Sequence, residues 1–170
     1  DHATMSLEYI SQFNIILVVV SDRLNEADIA LLKQVINKRS FYGDAFYDKF
    51  LFVINKIDNN NKYTKRFDIA RLKERILNRL NDEGIEGITT DNIIPVSGLW
   101  ALLASLYNNG KANKKQSRKF VNIADEFGLS NEEVEQYANT KELFENIARK
   151  LEKVNINNEL LSDNTTKGIA

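Results

Sequence analysis

Two unbroken apolar runs, with a stretch of helical periodicity between them, limit what this chain can fold into more than any other feature. The first is a β-branched run from Asn14 to Val20, and the second extends from Phe50 to Ile54. A run without alternating polar residues has the pattern of a strand buried on both faces. Between the runs, Asn25 and Asp28 stand at capping-box spacing ahead of Ile29, Leu32, Val35 and Ile36, which share one helical face. The order then repeats. Ile69, Leu72, Ile76 and Leu80 predict a second helix, ended near Gly84, and Asn92 to Val96 predicts a third strand. Strand alternating with helix predicts an α/β fold with a parallel sheet and right-handed crossovers. The three strands should lie side by side. Pro95, the one proline, places the third at the outer edge, because proline cannot donate to a ladder.

Around this unit the chain reads more simply. Ala3 to Ile10 suggests a short helix, Phe41 to Tyr47 a looser aromatic segment, and Asn59 to Lys65 a surface loop. Beyond the third strand the sequence turns wholly helical. Leu99 to Tyr107 is apolar nearly all round, and a basic, Asn-rich connector runs from Asn108 to Gln116. Ser130 and Glu133 open one capped helix; Thr140 opens another that carries Leu143, Phe144, Ile147 and Leu151. From Asn155 the chain is polar, either a loose tail or the start of a helix belonging to a further domain.

Bulk composition removes several classes. The net charge of −1 leaves no global electrostatic footprint for nucleic acid or an anionic membrane. With no cysteine there is no disulfide, thiolate metal site or cysteine nucleophile, which fits a reducing cytoplasm. Ile15 to Val20, the longest strongly apolar run, is too short to span a bilayer. The opening Asp1-His2-Ala3 has neither a basic and apolar leader nor an initiator Met, so the natural chain is expected to begin upstream.

The chemistry concentrates where the second run ends, at Asn55-Lys56-Ile57-Asp58. In an open parallel sheet, ligands bind beyond the carboxyl ends of the strands. A carboxylate offers two coplanar acceptors, matching the N1 and N2 donors that guanine presents side by side. Adenine has no donor at N1 and would leave a buried lone pair unmatched, at roughly 1–3 kcal/mol or more for a charged group. Asp58 is therefore the expected specificity residue. The stem of Lys56 can cover a face of the base while its ammonium stays wet, and Asn55 can tie the loop to its neighbours and reach the far edge of the base. A chain so rich in Asn, Lys, Ile and Asp can also produce this tetrapeptide as a solvated turn. Pro95-Val96-Ser97-Gly98 ends the third strand and opens the next helix, where small residues let backbone N–H groups approach a ligand oxygen such as the guanine C6 carbonyl. Alone, Ser97-Gly98 is ordinary turn chemistry.

Asn55-Lys56-x-Asp58 resembles the fourth conserved motif of the translation-factor-related GTPases, and Ser97-Gly98 resembles the fifth, commonly Ser-Ala-Lys. Gly98 departs from the usual alanine, and Leu99 replaces the lysine and removes one base contact. Ser6-Leu7-Glu8-Tyr9-Ile10, Ser21-Asp22-Arg23-Leu24 and the stretch Ile94 to Ala101 are similar to bacterial dynamin-like GTPases, and most to their clamp-binding branch. The resemblance covers roughly residues 3–154. It implies part of a three-layer P-loop NTPase-type parallel sheet, strands four to six of a G domain, followed by helices. Residues 1–154 would form the C-terminal part of that domain, and 155–170 a tail or the start of a helical region. It also implies GTP or GDP as ligand, GTP hydrolysis in the full-length protein, and self-association through G domains. A cytoplasmic protein, at the membrane periphery or with a protein partner, would follow. Direct nucleic-acid binding is not expected.

Half of the family's apparatus has no counterpart in the sequence. A phosphate loop needs Gly-x-x-x-x-Gly-Lys-Ser/Thr; Gly110-Lys111 is followed by Ala112 and lacks the earlier glycine. Asp125-Glu126-Phe127-Gly128 matches the family's Asp-x-x-Gly but falls after the fourth motif, where it reads as a helix end. Catalytic residues and Mg²⁺ ligands are thus expected only in a preceding half, and these 170 residues alone are expected to be inactive. Without a neighbour, the first strand would present an apolar edge, so the isolated chain is expected to dimerise, aggregate or be one piece of a longer polypeptide. His2 reads as solvated, Asp22 and Arg23 as a helix approach, and Trp100 as packing between helix and sheet. Lys111, Lys114, Lys115, Arg118 and Lys119 read as a solvated connector. Two other functions stay open: a non-catalytic partner-binding module derived from a GTPase fold, and a nucleotide-independent α/β protein with a chance motif.

Overall fold

The computed structural model describes residues 14–21, 24–37, 46–58 and 68–166. The expectations for Ala3 to Ile10, His2, Asp22, Arg23, most of the aromatic segment and the loop from Asn59 to Lys65 lie outside these residues. Strand β1 (Ile16–Ser21) leads to helix α1 (Glu26–Asn37); a short helix α2 (Phe46–Lys49) leads directly into β2 (Phe50–Asn55). Helix α3 (Ile69–Asp82) and a single 3-10 turn (Thr90–Asn92) precede β3 (Ile93–Pro95). Four helices follow: α4 (Gly98–Asn108), α5 (Lys114–Phe127), α6 (Asn131–Tyr137) and α7 (Thr140–Thr166).

The sheet is parallel throughout, in the order β1-β2-β3, so β3 with its proline is an outer edge. Pairing aligns Leu17 with Leu51, Val19 with Val53 and Ile94 with Val53, which puts these side chains on one face. The opposite face carries Ile16, Val18, Val20, Phe50, Phe52, Ile54 and Ile93, and packs on α1 and α3. The helical face expected from the sequence, Ile29, Leu32, Val35 and Ile36, is the buried one. The capping box ahead of it closes in both directions, Asp28 N–H to Asn25 Oδ1 and Asn25 N–H to Asp28 Oδ2.

On the other face, Leu143 and Ile147 of α7 cover Leu51, Val53, Ile94 and Val96. That cover stops at β2. Strand β1 is consequently buried on one face only: Ile16, Val18 and Val20 are buried, while Leu17 is 43% and Val19 58% exposed. The expectation of burial on both faces is right for β2 and wrong for β1. An unbroken apolar run reports a strand's own composition, and cannot report how far a helix 120 residues downstream will extend across the sheet.

Two further expectations need correction. Trp100 packs not between helix and sheet but in a separate helical core with Leu103, Phe120, Ile123 and Val134, its ring edge-on to Phe127 at 5.2 Å. The basic connector is shorter than expected, because Asn113 caps α5 and Lys114, Lys115, Arg118 and Lys119 stand on that helix. Of the two readings given for the segment from Asn155, loose tail or helix, the structure shows helix, with α7 continuing to Thr166. The Asp125-x-x-Gly128 match is the last turn of α5 and its left-handed cap, with Gly128 at φ 62°. Among the described residues no helix is long and apolar enough to cross a membrane.

Helix α7 runs across the sheet from the carboxyl end of β3 to the amino end of β2. There, Lys150 Nζ donates to the carbonyls of Tyr47 and Asp48 at 3.0 and 2.9 Å. Half-burial of this ammonium holds its pKa below the ordinary lysine value. The buried Asn92 side chain reaches the same end of β2, donating to the Tyr47 and Phe50 carbonyls.

These faces predict opposite responses on the two adjacent strands β1 and β2. Phe52→Ala, in the closed core, should cost roughly 3–5 kcal/mol in urea denaturation. Val19→Lys, on the open face, should change stability by no more than about 0.5 kcal/mol and should reduce self-association in sedimentation velocity. A large loss of stability from Val19→Lys would show that this face is covered.

Candidate functional site

The ladder between β2 and β3 outlasts both strands. Val96 N–H donates to the Ile54 carbonyl at 2.7 Å, and Ile57 N–H donates to the Val96 carbonyl at 3.3 Å. The two loops are thereby held beyond the sheet, at Val96 one residue past β3 and at Ile57 two residues past β2. Ile57, only 1% exposed, drives its side chain into the core under the sheet and anchors the first loop from below. Lys56 takes a left-handed backbone, φ 66°, which turns the loop over between the last strand residue and that anchor.

Asn55 ties the loops together from above. Its Oδ1 accepts from Lys56 N–H at 2.8 Å and from Gly98 N–H at 3.1 Å. One amide oxygen thus serves both lone pairs across loops 43 residues apart. A Cβ on Gly98 would stand 3.3 Å from that same oxygen, so a methyl there requires Asn55 to yield by a few tenths of an ångström.

Asp58 meets the second loop at Ser97, whose hydroxyl donates to Asp58 Oδ1 at 2.6 Å. The Ser97 Oγ also accepts from Trp100 N–H at 3.2 Å, capping α4. Ser97 is fully buried, so this hydroxyl is fixed from both sides. It takes one carboxylate oxygen of Asp58; among the described residues Oδ2 makes no hydrogen bond. Asp58 and Asn55 are half-buried, while Lys56 and Gly98 are exposed. All five residues singled out in the sequence therefore gather at the carboxyl ends of β2 and β3, joined by three direct hydrogen bonds. Leu99, 39% exposed, stands beside them at the start of α4.

Sequence reasoning passed over two contributors. Ile57 looked like a spacer and is an anchor; its apolar character between Lys56 and Asp58 was the available signal. The corner between α6 and α7 was read only as a helix boundary, yet Ser97 N–H donates to the Ala138 carbonyl at 3.0 Å and Asn139 Nδ2 to the Pro95 carbonyl at 2.8 Å. Nothing local in Ala138-Asn139 points to a strand 43 residues earlier. Among the described residues, no group of three or more His, Asp or Glu side chains could hold a metal ion.

Chemically, the cluster offers a carboxylate with an available oxygen, an exposed lysine stem, and the N-terminal turn of α4. That donor set fits a flat, polar heterocycle with adjacent donors on one edge. Ser97→Ala removes the cap of α4 and the hydroxyl on Asp58 together, and should lower stability by roughly 1–2 kcal/mol. Urea denaturation measures this, and an unchanged midpoint would mean that the hydroxyl is not engaged. No protein-family model matches this chain, and comparisons with curated proteins and with solved structures give no match.

Proposed function

We propose that this chain is the guanine-recognising half of a GTPase domain of the dynamin-like kind. One observation carries the reading: Asp58 and Ser97, from two motifs 39 residues apart, meet at 2.6 Å beyond the carboxyl ends of adjoining parallel strands. A solvated turn does not require a buried serine to steer its carboxylate. A base-reading carboxylate does, since its two acceptors must lie in the plane of the ring.

In this reading the sheet is part of a three-layer P-loop NTPase-type fold, strands four to six of the G domain. Ser97 sets the angle of Asp58, whose carboxylate accepts from guanine N1 and N2. Lys56 lays its stem along one face of the ring, and Leu99 supplies apolar surface where the family carries lysine. The guanine C6 oxygen would face the exposed Gly98 end of α4. Hydrolysis, Mg²⁺ and self-association through G domains belong to the full-length protein, because hydrolysis needs a phosphate loop and these 170 residues contain no such motif. A cytoplasmic site of action, at the membrane periphery or on a protein partner, follows from the same resemblance.

The chain's own residues address the base, so the test uses mononucleotides. Isotope-labelled protein titrated with GMP should show saturable NMR shifts at the amides of Lys56, Asp58 and Gly98, with AMP giving none. Asp58→Asn retains an oxygen for Ser97 but replaces one acceptor by a donor. It should weaken GMP by about tenfold or more and bind XMP, whose C2 carbonyl accepts that donor, better than the wild type does. Equal responses to GMP and AMP, or no response to either, would remove the guanine assignment.

A further inference from the structure

The backbone of Val96 turns both its N–H and its carbonyl toward β2. By the alternation of a strand, the Ser97 N–H and the Pro95 carbonyl point the other way, off the outer edge of β3. Both are met by the corner between α6 and α7. Ser97 N–H donates to the Ala138 carbonyl at 3.0 Å, and Asn139 Nδ2 donates to the Pro95 carbonyl at 2.8 Å. A backbone carbonyl and a side-chain amide thus take the place of a fourth strand, next to the residue that steers Asp58.

We infer that Asn139 is a positioning residue for the base site, coupling the seat of α7 to the orientation of Asp58. This rests on the guanine reading above. Three properties of the residue suit it to the role. Its φ of 59° lies in the left-handed region, which asparagine tolerates better than most residues, so the corner can form without glycine. Its amide nitrogen has two hydrogens and two acceptors, the second being Glu142 Oε2 at 2.6 Å, so both hydrogens are engaged. The other oxygen of Glu142 binds Lys73 Nζ at 2.5 Å, which fixes the first turn of α7 to α3.

A continuous chain of contacts therefore runs from Asp58 through Ser97 and Pro95 to Ala138, Asn139, Glu142 and Lys73. Shifting α7 releases both bonds on the Pro95–Ser97 turn and loosens the hydroxyl that aims Asp58. By linkage, a base held on Asp58 stabilises the corner by the same free energy. Helix α7, at 27 residues the longest element among the described residues, is the lever through which whatever contacts it would alter base affinity.

Two variants of the full chain test this. Asn139→Gly keeps the left-handed backbone and deletes the amide; Asn139→Asp keeps the shape and replaces the donors by acceptors beside Glu142. Each should weaken GMP binding about five- to tenfold. Each should also narrow the preference for GMP over IMP, which lacks the amino group read by Asp58. In the wild type, GMP should shift the amides of Ala138 to Lys141 as well as those of the strand-end loops, and in Asn139→Gly the corner should stop responding. Wild-type affinity and base preference in both variants would overturn the inference while leaving the guanine site standing. So would a lower unfolding midpoint with unchanged base preference, which marks a residue that serves stability alone. If the wild type shows no GMP response at any residue, the guanine reading fails first and this inference with it.

Discussion

Everything at the candidate site depends on the hydrogen bonding between β2 and β3 persisting past the strand ends, to Ile57 and Val96. A loop that leaves a sheet ordinarily gains conformational freedom at once. Here the bonds from Val96 to Ile54 and from Ile57 to Val96 postpone that, so Asn55 and Asp58 stand on a frame nearly as rigid as the strand. Side-chain bonds then become effective because little entropy is left to lose. The Asn55 oxygen, shared by two backbone donors, and the Ser97 hydroxyl, held between Asp58 and a helix cap, are cheap to order in that setting.

The sheet has two edges, and the fold treats them differently. At β3 the edge is short, contains Pro95 where no donor is needed, and is closed by Ala138 and Asn139. These are the devices by which natural sheets blunt an edge. At β1 the edge is six residues long, ILVVVS, without charge or proline, and one of its faces is open at Leu17 and Val19. Parallel sheets are ordinarily covered on both faces. The finished edge is the one beside the candidate site. Precision there comes from the helical half of the chain, and the incomplete cover over β1 lies on the far side of β2 from Ser97.

How much of this could be read from the sequence follows from the range of the forces involved. The α/β alternation, the parallel order, the outer place of β3 and the buried face of α1 were legible because periodicity and the single proline act within one element. That Asn55, Lys56, Asp58, Ser97 and Gly98 would gather was legible because both motifs sit at strand ends, and parallel topology alone brings such ends together. What was not legible depends on distant packing. The open face of β1 is decided by where α7 lies, and Trp100 by the helices α5 and α6 that form its core. The role of Asn139 is decided by a corner that meets a strand end 44 residues before it in the chain.

That last case bears on how the fold joins its two halves. A helix packed on a sheet by apolar contacts alone can slide, since dispersion and hydrophobic burial are weakly directional. Leu143 and Ile147 supply such contacts, and by themselves would leave α7 free to adjust along the strands. Hydrogen bonds at both ends remove that freedom. Asn139 grips the carboxyl end of β3, and Lys150, eleven residues or about 16 Å further along the helix, grips the amino end of β2. Lys150 gives up hydration to do so, which its depressed pKa records. A cation kept half-buried against two carbonyls holds its register better than an apolar residue would. With both ends fixed, a displacement of α7 cannot be absorbed by sliding and must be transmitted to the turn that carries Ser97.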